Sequence, residues 1–230
     1  MVYAAVVAGG TGSRMGSDVP KQFLEVSGKP VLIHTISAFA GKVNKVVVSC
    51  HSDYVEYTKA LAEKYNVKMD VIPGGKDRME SLAAILSYLT ENGAKEEDIV
   101  LTHDGVRPFV SEEMIEKSIE NARNGQFSTV ALSATDTVCI CGDGENIDSV
   151  PDRKKVFNIQ TPQTFTFGKL TGMFKQCDEP GRFTDLCGLA LSMGEGVKIV
   201  PGEAENIKIT VPADLAVAEA ILEKRKHENR

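Results

Sequence analysis

Ala8-Gly9-Gly10-Thr11-Gly12-Ser13-Arg14-Met15-Gly16 directly follows a β-branched run, and Pro20-Lys21-Gln22 comes shortly after it. Glycine lets backbone N–H groups approach phosphate oxygens with no Cβ in the way. Two better-known phosphate loops are excluded. A G-x-G-x-x-G string beginning at Gly10 needs glycine where Met15 stands, and no G-x-x-x-x-G-K-[ST] string occurs. A glycine cluster alone fits an ordinary βα turn equally well. Arg14 and Lys21 shift the balance, because like charges in a partly dry site repel and are costly to hold together unless an anion lies between them. A triphosphate is the natural anion: attack at its α-phosphorus builds charge on the non-bridging oxygens and on the departing pyrophosphate, where Arg14 and Lys21 can neutralise it. Such chemistry needs no covalent protein nucleophile, in keeping with the absence of G-x-S-x-G and H-E-x-x-H strings.

Two further stretches carry ionisable groups. In Thr102-His103-Asp104-Gly105-Val106-Arg107-Pro108 the carboxylate of Asp104 is placed to hold Mg²⁺ against nucleotide phosphates, while His103 reads as a core histidine. In Asn206-Ile207-Lys208-Ile209-Thr210, expected to be a late strand, Lys208 taken alone is an ordinary surface lysine.

The elements that must position these groups follow from periodicity. β-branched runs alternate with helical patterns: Val2 to Ala8, then Pro30 to Phe39; Val43 to Cys50, then Tyr54 to Tyr65; Lys68 to Pro73, then Arg78 to Asn92; Ile99 to Asp104, then Glu112 to Asn124; and Thr129 to Ser133. Strands separated by helices imply crossovers and an α/β fold with a mostly parallel sheet, whose ligands lie outside the carboxyl ends of the strands. Asp136 to Arg153 breaks the rhythm, with two short alternating stretches around Gly142-Asp143-Gly144 that read as a hairpin arm. After Gln160-Thr161-Pro162-Gln163 come two helices, a strand near Val197 to Val200 and a terminal helix from Pro212.

Composition narrows the class. The 230 residues carry 26 Lys plus Arg against 32 Asp plus Glu, a net charge of −6, which argues against a general nucleic-acid coat. With 42% hydrophobic and 25% charged residues, the chain is ordinary globular material for one domain spanning 1–230. No apolar run is long enough to cross a membrane, and no basic leader precedes the first strand, so a cytoplasmic location is expected. Five cysteines without a CxxC pair point to neither a disulfide framework nor a zinc site; Cys139 and Cys141 are expected to pack as strand residues.

The strings AGGTGSRMG…PKQF, GGKDR, HDGVRPF, DT, DR…QTPQTF, TD and NIKIT, in this order across nearly the whole chain, closely resemble the cytidylyltransferases of the 2-C-methyl-D-erythritol 4-phosphate and D-ribitol 5-phosphate type. The resemblance implies a Rossmann-like twisted sheet with a projecting β-hairpin arm at about 136–155, homodimers that exchange arms, and transfer of CMP from CTP to a sugar-alcohol phosphate with release of pyrophosphate. It also implies Mg²⁺ or another divalent cation, held by Asp104, and no nucleic-acid or membrane partner. Arg14 and Lys21 take the transition-state roles already read from charge, while Ala8, Gly9, Gly10, Thr11 and Gly12 line the nucleotide site. Gly75 and Ser81 contact the cytosine, and Asp104, Gly105 and Arg107 lie near the ribose, metal and second substrate. Thr137, Arg153, Thr161 and Lys208 position the polyol phosphate, with Arg153 reaching into the neighbouring subunit's site. Lys76 departs from the pattern of some members and carries no implied role.

Gly9 in Ala8-Gly9-Gly10, Val106 before Arg107, Pro151 before Arg153 and Cys187 after Thr184-Asp185 lean toward the ribitol 5-phosphate branch, which feeds wall or capsule polymers such as teichoic acid. The alternative is the isoprenoid-precursor branch, which makes CDP-methylerythritol. A dinucleotide-dependent dehydrogenase is disfavoured by the missing third glycine, and a non-catalytic nucleotide-binding module would need neither Arg153 nor Lys208. Arg14→Ala or Lys21→Ala is expected to lower turnover by about 10²- to 10³-fold, read as pyrophosphate release; near-normal turnover would remove the substituted residue from the reacting centre.

Overall fold

The computed structural model describes residues 1–10, 15–16 and 19–228. Strand β1 (Val2–Ala8) leads to a short hairpin, β2 (Glu25–Val26) and β3 (Lys29–Pro30), and helix α1 (Val31–Ser37). Then come β4 (Lys45–Cys50), α2 (Val55–Lys64), β5 (Asp70–Pro73), α3 (Arg78–Glu91), β6 (Ile99–Asp104), α4 (Glu112–Arg123) and β7 (Phe127–Ser133). The chain ends with β8 (Phe157–Thr166), α5 (Phe167–Gln176), α6 (Leu186–Ser192), β9 (Val197–Pro201) and α7 (Ala213–Glu228). The main sheet has the order β5-β4-β1-β6-β8-β7-β9, with β8 antiparallel to both its neighbours and the other pairings parallel.

Central strands are apolar on both sides because helices cover both faces. Ala4 and Val6 face α1, α2 and α4 through Leu32, Ile33, Leu61, Met114 and Ile115. Tyr3 and Ala5 face the opposite layer, where Met79, Leu82 and Ile85 of α3 meet Leu170 of α5 and Leu189 of α6. A third cluster joins Ala218 and Ile221 of α7 to Val26, Val106, Phe109 and Ile209. It ties the end of the chain to the loop after β6.

The parallel register aligns the carboxyl ends. Ala8 stands opposite Cys50, Cys50 opposite Pro73, and Val7 opposite Asp104. The loops leaving these ends are stitched to their neighbours: Gly74 N donates to Cys50 O at 2.7 Å and Gly105 N donates to Val7 O at 2.8 Å. Gly105 is tightly enclosed, since a Cβ there would lie 3.0 Å from both Ala8 Cβ and Val7 O and would push them apart.

One unassigned stretch takes shape and two expectations are corrected. Gln160 to Gln163 falls inside β8, the longest strand, because Pro162 lies where its missing N–H does little harm. Pairing with β6 stops at Thr102–Gln163, and pairing with β7 slips between Thr129 opposite Gln163 and Ala131 opposite Ile159. Asn206 to Thr210 is not a strand; the segment is tied to the loop after β6 through a backbone bond, Ile209 N to Val106 O at 2.9 Å, and through its buried asparagine. The arm contains one antiparallel bridge, Ile140 to Ser149, closed by a turn in which Asp143 accepts from the N–H groups of Glu145 and Asn146. Cys139 and Cys141 are exposed on it rather than packed, and all five cysteines are free. No helix among the described residues is long and apolar enough to cross a membrane.

Candidate active site

Lys21 owes its position to its neighbours. After Pro20 the chain makes a single 3-10 turn, Lys21–Phe23. Gln22 Nε2 donates to Ala8 O at 2.6 Å, and the Phe23 ring packs into the core against Tyr54 and Tyr57. The intervening geometry holds Lys21, itself 9% exposed, beside the end of β1.

A second wall comes from the turn between β5 and α3. Asp77 caps α3 by accepting from Glu80 N at 2.8 Å, and Glu80 reaches back to Lys76 N at 3.0 Å. This fold-back brings Ser81 Oγ within 3.1 Å of Gly75 N. A Cβ on Gly75 would stand 2.2 Å from Glu80 Cβ, so only glycine fits.

Asp104 forms the floor. It is 7% exposed, and three cations converge on its carboxylate: Arg78 Nε lies 3.4 Å from Oδ1, Arg107 Nε 3.3 Å and Lys208 Nζ 3.0 Å from Oδ2. Burial alone would raise its pKa, but Arg78, Lys208 and Arg107 outweigh that effect and hold the carboxyl well below the usual carboxylate range. Arg107 is anchored in turn by Nη1 donating to Asn206 O at 2.8 Å, and Asn206 Nδ2 donates to Thr161 O and to Gln160 Oε1. This brings Lys208 to the site although its segment is not a strand.

His103 and Thr161 lie beneath the floor. His103 is fully buried, and burial pushes its pKa down to about 4, so it is neutral at pH 7. Its Nε2 lies 3.1 Å from the Arg107 carbonyl, which can only accept, so Nε2 carries the proton and Nδ1 accepts from Thr161 Oγ1 at 2.9 Å. Thr161 Oγ1 also accepts from Asp104 N at 3.2 Å. The hydroxyl expected to touch the polyol phosphate is thus committed to holding Asp104, and His103 is the core histidine its sequence setting indicates.

These walls enclose a cavity of ≈ 190 Å³. Of the residues singled out from sequence, Ala8, Gly9, Gly10, Lys21, Gly75, Ser81, Asp104 and Lys208 line it. Gly105 and Arg107 stand just behind Asp104. Thr137 and Arg153 are exposed near the arm, where Arg153 Nη1 donates to Thr135 O at 2.9 Å, and neither lines the cavity of its own chain. Thr11, Gly12 and Arg14 lie outside the described residues.

Asp104 does not fit the metal ligand expected from its position. Each of its oxygens is already engaged by a cation, and among the described residues no group of three or more His, Cys, Asp or Glu side chains is arranged to hold an ion. Lys76 lines the cavity but turns its ammonium to Glu80 Oε1 at 2.8 Å.

Arg78 carries a role that sequence reading left unassigned, although its GGKDR string stood out. A cation at the first position of a helix opposes the helix dipole, and that misplaced charge is the signal that could have found it. Gln163 and Asn206, both fully buried, were likewise part of recognised strings without a role of their own.

The family model described as 2-C-methyl-D-erythritol 4-phosphate cytidylyltransferase matches residues 2–224. The chain belongs to that family. It is therefore a cytidylyltransferase, a nucleotidyltransferase enzyme. Among solved structures, it is similar to 4-diphosphocytidyl-2C-methyl-D-erythritol synthase from Anaerococcus prevotii, with a TM-score of 0.81 and 31% identity over 96% of both chains. The 2-C-methyl-D-erythritol 4-phosphate cytidylyltransferase from Thermus thermophilus gives 0.76 at 31% identity, covering 96% of this chain and 97% of the other. The Francisella tularensis enzyme of the same name gives 0.79 at 26%, covering 95% and 98%. The expected α/β sheet flanked by helices is that of the family.

A carboxyl whose folded pKa is depressed contributes stability above its unfolded value near 4, and that contribution is lost progressively as pH falls below it. Asp104→Asn, which leaves three cations without their shared partner, is expected to cost about 3 to 5 kcal/mol at pH 7. Urea unfolding of both proteins should show the gap narrowing below about pH 4; a gap unchanged at pH 3 would mean that the carboxylate charge does not hold the cluster.

Proposed function

We propose that this cytidylyltransferase transfers CMP from CTP to 2-C-methyl-D-erythritol 4-phosphate, giving the CDP-alditol of an isoprenoid-precursor route. The observation that carries the acceptor is the family match across residues 2–224, supported by two neighbours at 31% identity whose names both carry methylerythritol. The ribitol 5-phosphate branch favoured by Gly9, Val106, Pro151 and Cys187 has no support in these comparisons. Of those four, Gly9 and Val106 border the cavity, but neither presents a hydrogen-bonding side chain to tell one alditol from the other.

The reaction needs no protein base. The acceptor phosphate, ionised near pH 7, attacks the α-phosphorus of CTP in line; the new P–O bond forms as the bond to the β-phosphate bridge breaks and pyrophosphate leaves. What the enzyme must do is hold two anions together, and its charges suit that demand, since Arg78, Arg107 and Lys208 gather around the carboxylate of Asp104 and Lys21 lines the same cavity. In this reading Arg14 and Lys21 stabilise the triphosphate charge, the Gly9-Gly10 backbone and the Gly75 turn take the nucleotide, and Lys208 takes the acceptor phosphate. Among the described residues no group of three or more His, Cys, Asp or Glu side chains would hold a divalent cation, whose chemistry would be to screen the triphosphate charge.

The reading includes a homodimer. Val138, Ile140, Ile147 and Val150 are 37% to 66% exposed on an arm with one bridge, and a marginal two-stranded element of this kind needs a cover. A partner's cavity would receive Arg153, which does not line its own.

Incubating the enzyme with CTP, Mg²⁺ and each alditol phosphate separately is expected to release pyrophosphate faster with the methylerythritol compound; faster release with ribitol 5-phosphate would reverse the assignment. Mixing an Arg14→Ala protein with an Arg153→Ala protein is expected to restore activity, because each mixed dimer regains one intact site. No recovery after mass spectrometry has verified subunit exchange would put Arg153 to work in its own subunit.

A further inference from the structure

Arg78 joins two walls of the cavity. It begins α3, directly after the Gly74-Gly75 turn on the nucleotide side, yet its Nε reaches Asp104 Oδ1 at 3.4 Å. Its Nη2 donates to Gln163 Oε1 at 3.2 Å, while Nη1 is buried without a hydrogen-bond partner.

The orientation of Gln163 is over-determined. Its Oε1 also accepts from Leu186 N at 3.3 Å, and its Nε2 lies 3.0 Å from Cys187 Sγ and 3.5 Å from Asp185 Oδ2. Asp185 caps α6 by accepting from Gly188 N at 2.8 Å. A rigid chain of contacts therefore runs from the start of α6 through Gln163 to the guanidinium, and through it to Asp104. On the other side of that carboxylate, Oδ2 holds Lys208 and Arg107.

We propose that Arg78 is a positioning residue for the acceptor: by fixing one oxygen of Asp104 it sets the plane of the carboxylate, and so the place at which Lys208 meets the incoming phosphate. The inference rests on the acceptor role of Lys208 given above. An aspartate carboxylate turns easily about its last torsion, and with Oδ1 released it would follow whichever cation pulls hardest. Lys208 is the most exposed of the three, its side chain being 41% exposed against 20% for Arg78 and 11% for Arg107. A planar fork bonded at two edges resists that rotation, whereas a lysine at the same place supplies charge without the fork.

The test compares Arg78→Lys, Lys208→Gln and the double variant in steady-state pyrophosphate release, using whichever alditol phosphate the enzyme accepts. Circular dichroism and thermal midpoints check that each variant is folded. Lys208→Gln is expected to lower kcat/KM for the acceptor by about 10²-fold. Arg78→Lys should raise the acceptor KM by about tenfold while changing the KM for CTP by less than about twofold. In the Lys208→Gln background the same Arg78→Lys change should cost less than about threefold, because the side chain through which it acts is gone.

A lowered thermal midpoint with unchanged acceptor KM would make Arg78 merely structural and overturn the inference. Full additivity of the two substitutions would overturn it as well, while leaving Lys208 in its role. If Lys208→Gln alone has no effect on turnover, the acceptor role of Lys208 fails, and the inference fails with it.

Discussion

One buried carboxylate organises the site. Asp104 draws Arg78, Arg107 and Lys208 to within 3.4 Å, and without it these three cations would repel one another in a partly dry cleft. A buried ion is costly by itself, yet three opposite charges and the hydrogen bonds around it turn that cost into order. The positive charges outnumber the carboxylate, so the cluster is satisfied enough to fold and still short of anions. The proposed transfer between two phosphorylated molecules requires that imbalance, because their binding would supply the missing negative charge.

The rest of the fold serves to bring distant segments to that carboxylate. Parallel register sets the end of β6 beside the end of β1, and the Gly105 N–H closing on Val7 O leaves no slack between them. Arg78 arrives because the Asp77 cap starts α3 at that point, and Lys208 because α7 packs Ile209 against Val106. Thr161 supports the Asp104 backbone from β8, the antiparallel strand inserted next to β6. Each of these is an interaction of the chain with itself, so the charge cluster is largely assembled before any substrate arrives. Preorganisation of this kind is what makes fixed charges effective in stabilising a transition state.

Much of this was legible in the sequence, and for a physical reason. The strands Val2–Ala8 and Ile99–Asp104 form with the limits their β-branched runs indicate, because both are buried on two faces and leave little choice of partner. Elements whose shape depends on tertiary pairing were not legible. Pro162 hid β8, since only the slipped ladder with β7 reveals why a proline is tolerated there. Asn206 to Thr210 has the alternation of a strand but follows the pull of a buried asparagine instead. Within the site, Lys21, Asp104 and Lys208 could be picked out because charge and loop position announce them. Thr161 could be named but not understood, because the partners that occupy its hydroxyl come from residues 57 and 58 positions away.

Charge placement also explains how an acidic protein can grip polyanions. The chain carries a net charge of −6, so the mean field of its surface disfavours the approach of polyanions. The cations of the cleft face little competition from that surface, because low-dielectric walls focus their field toward the opening. Lys76, at the rim, is neutralised by Glu80, whereas Lys208 pairs with a carboxylate that two arginines already share. Positive charge is thus masked at the rim by Glu80 and left in excess in the cleft where the proposed reaction brings two phosphates together. The same distribution accounts for the silence of composition about function: a whole-chain charge averages over the few ångströms in which the sign is reversed.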